Sequence, residues 1–342
     1  MAEPSIAVLT FTDDLHALVI QAHLRRNRGA LCEVVEVDSM ADRPGGLSWS
    51  TEPGFGTSVP TRDGGRLDLA GCDAIWFRRW NHPQRAGREL ADAAHREVVD
   101  ASCASTLMGA LRNEFGGRWV SHPDATRRAE NKLIQLRAAA DAGFVVPRTL
   151  VSQDPAEIRH FCSMLDGQVV LKAVRGTPSS QLYTLPVTPE HLADDDALRL
   201  CPTIFQQYVP GTRHLRVLCC GTTSYAVAID SPDLDWRRNL DVPISPVALE
   251  PEVERALARV LELLDLRMGV VDLKLDTDDR PVWLELNPQG QFLFVQGLTG
   301  LDLTAGFADF LYDEALSGAG QSSRSNARLI ASARSGSWSG CR

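Results

Sequence analysis

The chain has 342 residues, 44% of them hydrophobic, which is enough to fill the cores of two or three domains. A formal net charge of −9 and a pI near 5.4 exclude a general phosphate-backbone binder, because non-specific nucleic-acid affinity needs clustered Lys and Arg. The longest apolar runs, such as Ile6 to Phe11, fall far short of a membrane span, so neither nucleic acid nor membrane is an expected partner and a cytoplasmic location is expected.

Ile6 to Phe11 reads as a buried strand, Asp13 or Asp14 caps a helix ending near Gly29, and Cys32 to Val37 is a second strand, which makes a βαβ unit. Thr57 to Leu69 carries the turn signal Asp63-Gly64-Gly65, Asp73 to Arg78 reads as a strand, and Arg88 to Phe115 as mostly helix. Residues 1–120 therefore form one α/β domain. Arg78 and Arg79 close its last strand, the end at which open α/β sheets present ligands.

A helix capped by Asp124 is expected to run past Asn131 and Lys132 to Gly143, followed by a strand from Val145 to Val151. Asp154-Pro155-Ala156-Glu157 combines an N-cap, a proline at the first helical position and an acidic third residue, and that helix leads to the strand Val169 to Lys172. From Thr203 strands dominate: Ile204 to Val209, Arg216 to Cys220 and Ser224 to Ile229, then a helix from Pro251 to Leu264, a hairpin from Val270 to Leu286 and a last helix from Leu303 to Leu316. Past Ser317 the Ser, Gly and Arg content predicts a disordered tail. The eight cysteines are scattered, with no Cys-x-x-Cys pair and no nearby His at zinc spacing, and read as reduced structural thiols.

In the hairpin, two apolar runs flank Thr277-Asp278-Asp279-Arg280. A four-residue loop pairs Asp276 with Pro281, and counting back sets Asp272 opposite Glu285, with Asn287 on the same face. Facing carboxylates repel, so an oxygen-ligated cation such as magnesium suits them; a solvated polar face fits the same pattern. Lys172 ends an apolar strand beside the segment Arg175 to Ser180, where charge and backbone N–H groups suit phosphates, although a lysine there also serves as a snorkelling surface residue. Lys132 has the same two readings. Gln206-Gln207-Tyr208-Val209 leaves through a Pro-Gly turn, either presenting its backbone to an adenine edge or forming an ordinary edge strand. Arg213, Arg216, Arg237 and Arg238 form a basic set whose planar guanidinium groups suit phosphate and acyl-phosphate oxygens.

Taken in order, Lys132, Lys172, the Gln206 to Val209 hinge, Asp272 and Glu285-Leu286-Asn287-Pro288 resemble the ATP-grasp superfamily over roughly residues 120 to 316. The resemblance implies an α/β (α+β) architecture with an N-terminal pre-ATP-grasp domain (1–120), a central subdomain (121–202), a C-terminal subdomain (203–316) and the tail (317–342). It implies ATP and Mg2+ as cofactors: Lys132 and Lys172 on phosphates, Gln206, Gln207, Tyr208 and Val209 around adenine, and Asp272, Glu285 and Asn287 on magnesium. Trp76-Phe77-Arg78-Arg79, Asp235-Trp236-Arg237-Arg238 and Leu284-Glu285-Leu286-Asn287-Pro288-Gln289-Gly290-Gln291-Phe292 are similar to a narrower group, the graspetide-type ligases. Those enzymes recognise a leader segment and cross-link acidic side chains of a ribosomal precursor peptide to hydroxyl or amine side chains through acyl phosphates.

By that likeness Arg237 contacts the transferring phosphoryl or acyl phosphate, Arg213 and Arg216 assist it, and Arg78 and Arg79 serve the peptide. Two positions depart from the pattern: Gln207 stands where relatives often carry an acid, and His214 stands where an Asp often precedes the arginine. The second departure leaves the general base open, with His214 a candidate for it and, equally, a structural strand histidine. Ligation of free amino acids or peptide termini, or nucleotide-dependent peptide binding without turnover, are the competing readings, and a homo-oligomer is compatible with all of them.

Overall fold

In a computed structural model, residues 3–52, 55–80, 82–176 and 182–318 are described. The expected tail therefore lies outside the described residues from 319 onward, as do positions 177–180 of the segment after Lys172. The chain forms two compact units, Met1–Pro123 together with the chain from Asp302, and Asp124–Leu301.

The first unit is built on a parallel sheet of order β2-β1-β3-β4, from β1 (Ser5–Thr10), β2 (Leu31–Glu36), β3 (Ala74–Phe77) and β4 (Arg118–Val120). Helix α1 (Leu15–His23) starts where the Asp14 carboxylate accepts from the His16 N–H, and Gly29 ends its extension at φ +64°. Helix α2 (Ala93–Glu114) packs Leu107, Ala110 and Leu111 against Ala7, Leu9, Ile75 and Phe77. Among the described residues, the chain between β2 and β3 forms a short 3-10 turn, Met40–Asp42, and the isolated bridges Ser48 to Ser58 and Pro60 to Arg66. The helix over residues 303–318 belongs to this unit, not with the C-terminal strands that precede it, and its Phe307 ring lies 4.6 Å from that of Trp76. An apolar helix face in sequence does not say which sheet it covers.

The second unit opens with α3 (Pro123–Ala129) and α4 (Lys132–Asp141). These are two helices where one was expected. Asn131 adopts φ −81°, ψ 112°, leaves the helix, and accepts from the Leu133 and Ile134 N–H groups as the cap of α4. Lys132 consequently occupies the first position of a helix and not the middle of one. An antiparallel sheet of order β5-β8-β6-β7 follows, from β5 (Thr149–Ser152), β6 (Val169–Ala173), β7 (Leu185–Pro186) and β8 (Thr203–Gln207), covered by α5 (Pro155–Ser163). Strand β8 lies between β5 and β6, so the edge-strand reading of the hinge fails.

A second antiparallel sheet has order β11-β10-β9-β12-β13, from β9 (Arg213–Cys220), β10 (Thr223–Asp230), β11 (Ile244–Val247), β12 (Met268–Leu275) and β13 (Pro281–Asn287). One face packs Leu215, Val217, Val271, Leu273, Trp283 and Leu286 against α4 and α6 (Pro251–Leu263), through Ala138, Ala139, Leu257, Val260 and Leu261. The hairpin ladder runs Leu275 to Pro281, Lys274 to Val282 and Leu273 to Trp283, then shifts so that Asp272 meets Glu285. The loop is one residue longer than the sequence count assumed, and a bulge at Leu284 restores the carboxylate pairing.

Candidate active site

Asp272 on β12 faces Glu285 on β13 and Arg216 on β9; Lys274 faces His214, and Val270 faces Asn287. Side chains two residues apart on a strand share a face, so His214, Arg216, Asp272, Lys274, Glu285 and Asn287 project from the side opposite the apolar core. Arg213, three residues before Arg216, points the other way. It is half exposed and pairs with Asp230 at 3.6 Å and Asp279 at 4.0 Å, so the structure does not bring it to this group.

Charges converge on the polar face. Arg216 donates to both Asp272 oxygens at 2.9 and 3.0 Å and to the Gln291 carbonyl at 2.9 Å, with its guanidinium 5.3 Å from the Trp236 ring and 5.5 Å from Phe294. Glu285 meets Lys132 at 3.3 Å and Arg237 at 3.8 Å. Arg237 is itself held by Asp235, a residue in the Asp-Trp-Arg-Arg motif to which the sequence reading gave no role, through bonds of 2.7 and 2.5 Å. Lys172, at the end of β6, donates to the Gln206 Oε1 at 2.8 Å. Burial pushes the Lys172 ammonium down to about 8, with Glu285 opposing and Lys132 reinforcing the shift. Burial works to raise Glu285, but Lys132, Lys172 and Arg237 together hold it below the usual glutamate value. Asp272 goes the other way: burial raises it and Glu285 adds to this, against the pull of Arg216.

His214 is buried, and burial together with Lys274 pushes its imidazole down to about 4. It is neutral near pH 7 and a weak base there, which is a poor match to a general base. The Lys274 ammonium lies 5.2 Å from the Tyr208 ring. In the hinge, the Gln207 N–H donates to Arg148 O and the Tyr208 N–H to Gln168 O, so among the described residues Val209 carries the next N–H not used by the sheet. Gln206 is locked from both sides, its Nε2 donating to Thr149 Oγ1 at 2.9 Å.

After Asn287, whose Oδ1 accepts from the Gln289 N–H, the chain turns at Gly290. A Cβ there would sit 2.4 Å from the Cβ of Val270, so only glycine lets this turn close against β12.

Arg78 and Arg79 belong to the first unit. Both N–H groups donate to the Leu9 carbonyl at 3.0 Å, which anchors them where β1 and β3 part company, β1 continuing to β2 on one side and β3 to β4 on the other. Arg78 is buried against Asp14 at 3.3 Å and the Trp76 ring at 5.7 Å, and Asp14 also accepts from Thr10 at 2.6 Å. Arg79 is less enclosed; burial lowers its pKa and Asp14 opposes the shift.

No protein-family model matches the chain. Among solved structures, the macrocyclase MdnC of Microcystis aeruginosa MRC, bound with precursor peptide MdnA, superposes with a TM-score of 0.80 at 22% identity, over 90% of this chain and 99% of that one. A Chryseobacterium gregarium RiPP-associated ATP-grasp ligase, in complex with ADP and a leader and core peptide, gives 0.78 at 25% identity over 91% and 97%. The chain has the ATP-grasp ligase fold. The ATP-grasp ligase PsnB, complexed with minimal precursor, Mg and ADP, gives 0.73 at 24% identity over 92% and 99%. The sequence likeness to curated proteins is local: N5-carboxyaminoimidazole ribonucleotide synthase of Mycobacterium bovis is 43% identical over 54 residues, 16% of this chain and 13% of that protein. The chain thus matches only about an eighth of that relative's length.

The donor set of the ATP-grasp face fits a divalent magnesium ion. Asp272 and Glu285 supply hard carboxylate oxygens from paired strands, and Asn287 adds an amide oxygen on the same face. Among the described residues no group of three or more His, Cys, Asp or Glu side chains is placed to hold a metal ion. Two carboxylates and an amide make an incomplete shell, which suits an ion that completes its coordination with water and phosphate oxygens. No helix among the described residues is long and apolar enough to cross a membrane.

Proposed function

We propose that this chain is an ATP-dependent carboxylate–amine/alcohol ligase that activates Asp or Glu side chains of a ribosomal precursor peptide as acyl phosphates and joins them to Ser, Thr or Lys side chains of the same peptide. The observation that carries the reading is the gathering of Lys132, Lys172 and Arg237 around Glu285, beside Asp272. Three cations and a hard-oxygen pair are what a polyphosphate with its metal requires. Magnesium, when bound, would neutralise phosphate charge during transfer.

The chain's own groups divide the remaining work. Lys172, fixed by Gln206, and Lys132, at a helix start, meet phosphate oxygens; Tyr208 and Val209 border adenine. Arg237, aimed by Asp235, holds the transferring phosphoryl group and then the acyl phosphate, while the nucleophile attacks the carbonyl carbon, the acyl C–O bond to phosphate breaks, and inorganic phosphate leaves with the nucleophile's proton. Arg216 has a different part: its bonds to Asp272 keep that carboxylate in place, so it acts on the metal ligand. Arg79 receives the peptide carboxylate and Arg78, enclosed with Asp14, supports it. No covalent enzyme nucleophile is required.

Incubation with ATP, magnesium and an acidic precursor peptide tests this. Each coupled ADP should lower the peptide mass by one water, with fragmentation suppressed inside the new ring. A mass gain from an added free amino acid, with no dehydrated peptide, would replace the reading with ligation of free amino acids.

A further inference from the structure

Strand β13 is the edge of its sheet, yet Trp283 and Leu286 on it are buried, so their outward N–H and C=O groups need partners other than water. The Trp283 N–H finds Val145 O at 2.9 Å. Leu286 finds a side chain: the Gln135 Oε1 accepts from the Leu286 N–H at 2.9 Å and its Nε2 donates to Leu286 O at 2.7 Å, while the second Nε2 hydrogen goes to Ala129 O at 2.6 Å. The primary amide thus occupies the place of a neighbouring strand. Gln135 is 2% exposed and spends both donors and its acceptor. It sits one turn after Lys132 on α4, on the same helix face, and Lys132 reaches Glu285, the residue before Leu286.

Building on the proposed nucleotide and magnesium site, we infer that Gln135 is a positioning residue that fixes the Glu285-Leu286-Asn287 segment to α4, so that the phosphate lysine and two metal-side oxygens are held as one body. Nothing else on α4 bonds this backbone among the described residues; the β12 ladder fixes the register of the segment on its other side, and Gln135 ties its outward side to the helix that carries Lys132.

The test uses the full chain. In Gln135→Met, which keeps length and apolar volume, the tightening of ADP binding by Mg2+, read by calorimetry, should shrink about tenfold, the usual cost of losing buried hydrogen bonds. Leu257→Ala, in the same core but away from the site, serves as a control of comparable loss in thermal stability and should leave the Mg2+ gain within about twofold. Gln135→Asn, which keeps a neutral amide but is one methylene too short to reach both Leu286 groups, replaces the Met variant if that fails to fold and should show the same direction. An unchanged Mg2+ gain in the Gln135 variant, or an equal loss in Leu257→Ala, overturns the inference. Amide hydrogen exchange at Leu286 reads the clamp without nucleotide. Slow exchange in the wild type and fast exchange in the variant supports the clamp even if the wild type fails to bind Mg2+ and ADP, an outcome that would sink the functional reading alone. Equal exchange at Leu286 in both overturns it.

Discussion

Lys172 carries its charge in a place that works against it. Its pKa falls from 10.5 to about 8 because burial penalises the ammonium more than Glu285 rewards it. The neutral form therefore gains ground in the free protein as pH rises through 8, and kcat/KM for ATP should decline above that pH by about tenfold for each further unit. Stability moves oppositely: between about 8 and 10.5 the unfolded chain binds the proton that the fold has released, so this group's contribution to stability rises with pH. In Lys172→Arg, whose guanidinium stays charged, the activity decline should vanish; its persistence would assign it to another group. The two carboxylates should also separate. Asp272→Asn and Glu285→Gln should each cut ADP release about 100-fold or more. Glu285→Gln should cost more stability, about 1–3 kcal/mol, because Lys132, Lys172 and Arg237 lose the carboxylate they share, whereas at Asp272 the lost pairing with Arg216 is offset by relief from burial and from Glu285. Thermal unfolding beside an ADP assay distinguishes the two, and near-normal release by either under saturating magnesium would remove the metal role.

At the scale of elements, much of the second unit was legible because strong local signals govern it: Asp154 with Pro155 starts a helix, and short apolar runs make β9 and β10. The hairpin shows the limit. Its carboxylate pairing was read correctly from a loop one residue too short, since the bulge at Leu284 cancels the error. A strict alternation would set Trp283 on the same face as Glu285 and opposite Lys274. The bulge shifts the phase instead, so Trp283 and Leu286 both enter the core while Glu285 and Asn287 face the site. Nothing local in the sequence marks a bulge, because the cause is the distant core that Trp283 must fill. Gln135 was missed for the same reason, its partner Leu286 lying 151 residues away. Deleting Leu284 should therefore yield a folded protein, with Trp283 opposite Leu273 and Glu285 opposite Asp272 in a regular ladder, at a cost below about 2 kcal/mol. Wholesale loss of the unfolding transition would show that the extra residue sets the phase in some other way.

Across the whole molecule, the residues assigned to nucleotide and those assigned to peptide fall in different compact units: Lys132, Lys172 and Glu285 in Asp124–Leu301, Arg78 and Arg79 in the other. Three of the four strands of the first unit's parallel sheet read plainly in sequence and the short β4 (Arg118–Val120) does not, and the two arginines at the end of β3 differ in their surroundings. Arg78 is enclosed by Asp14 and Trp76 and forms part of the scaffold at the end of β3, whereas Arg79 is open enough to take a carboxylate. Charge reversal at the two should accordingly differ in kind. Arg78→Glu sets a second buried carboxylate beside Asp14 and should lower the melting temperature by several degrees. Arg79→Glu should leave melting nearly unchanged and reduce peptide cross-linking about 100-fold, with ADP affinity within about twofold of wild type, since the reversed charge repels the acidic substrate. Lys172→Met should give the reverse pattern, weak nucleotide binding with peptide affinity retained. The deciding comparison is calorimetric binding of ADP and of an acidic peptide to both variants: a loss of ADP affinity in Arg79→Glu equal to that in Lys172→Met would move Arg79 to the nucleotide and leave the peptide carboxylate without an assigned partner.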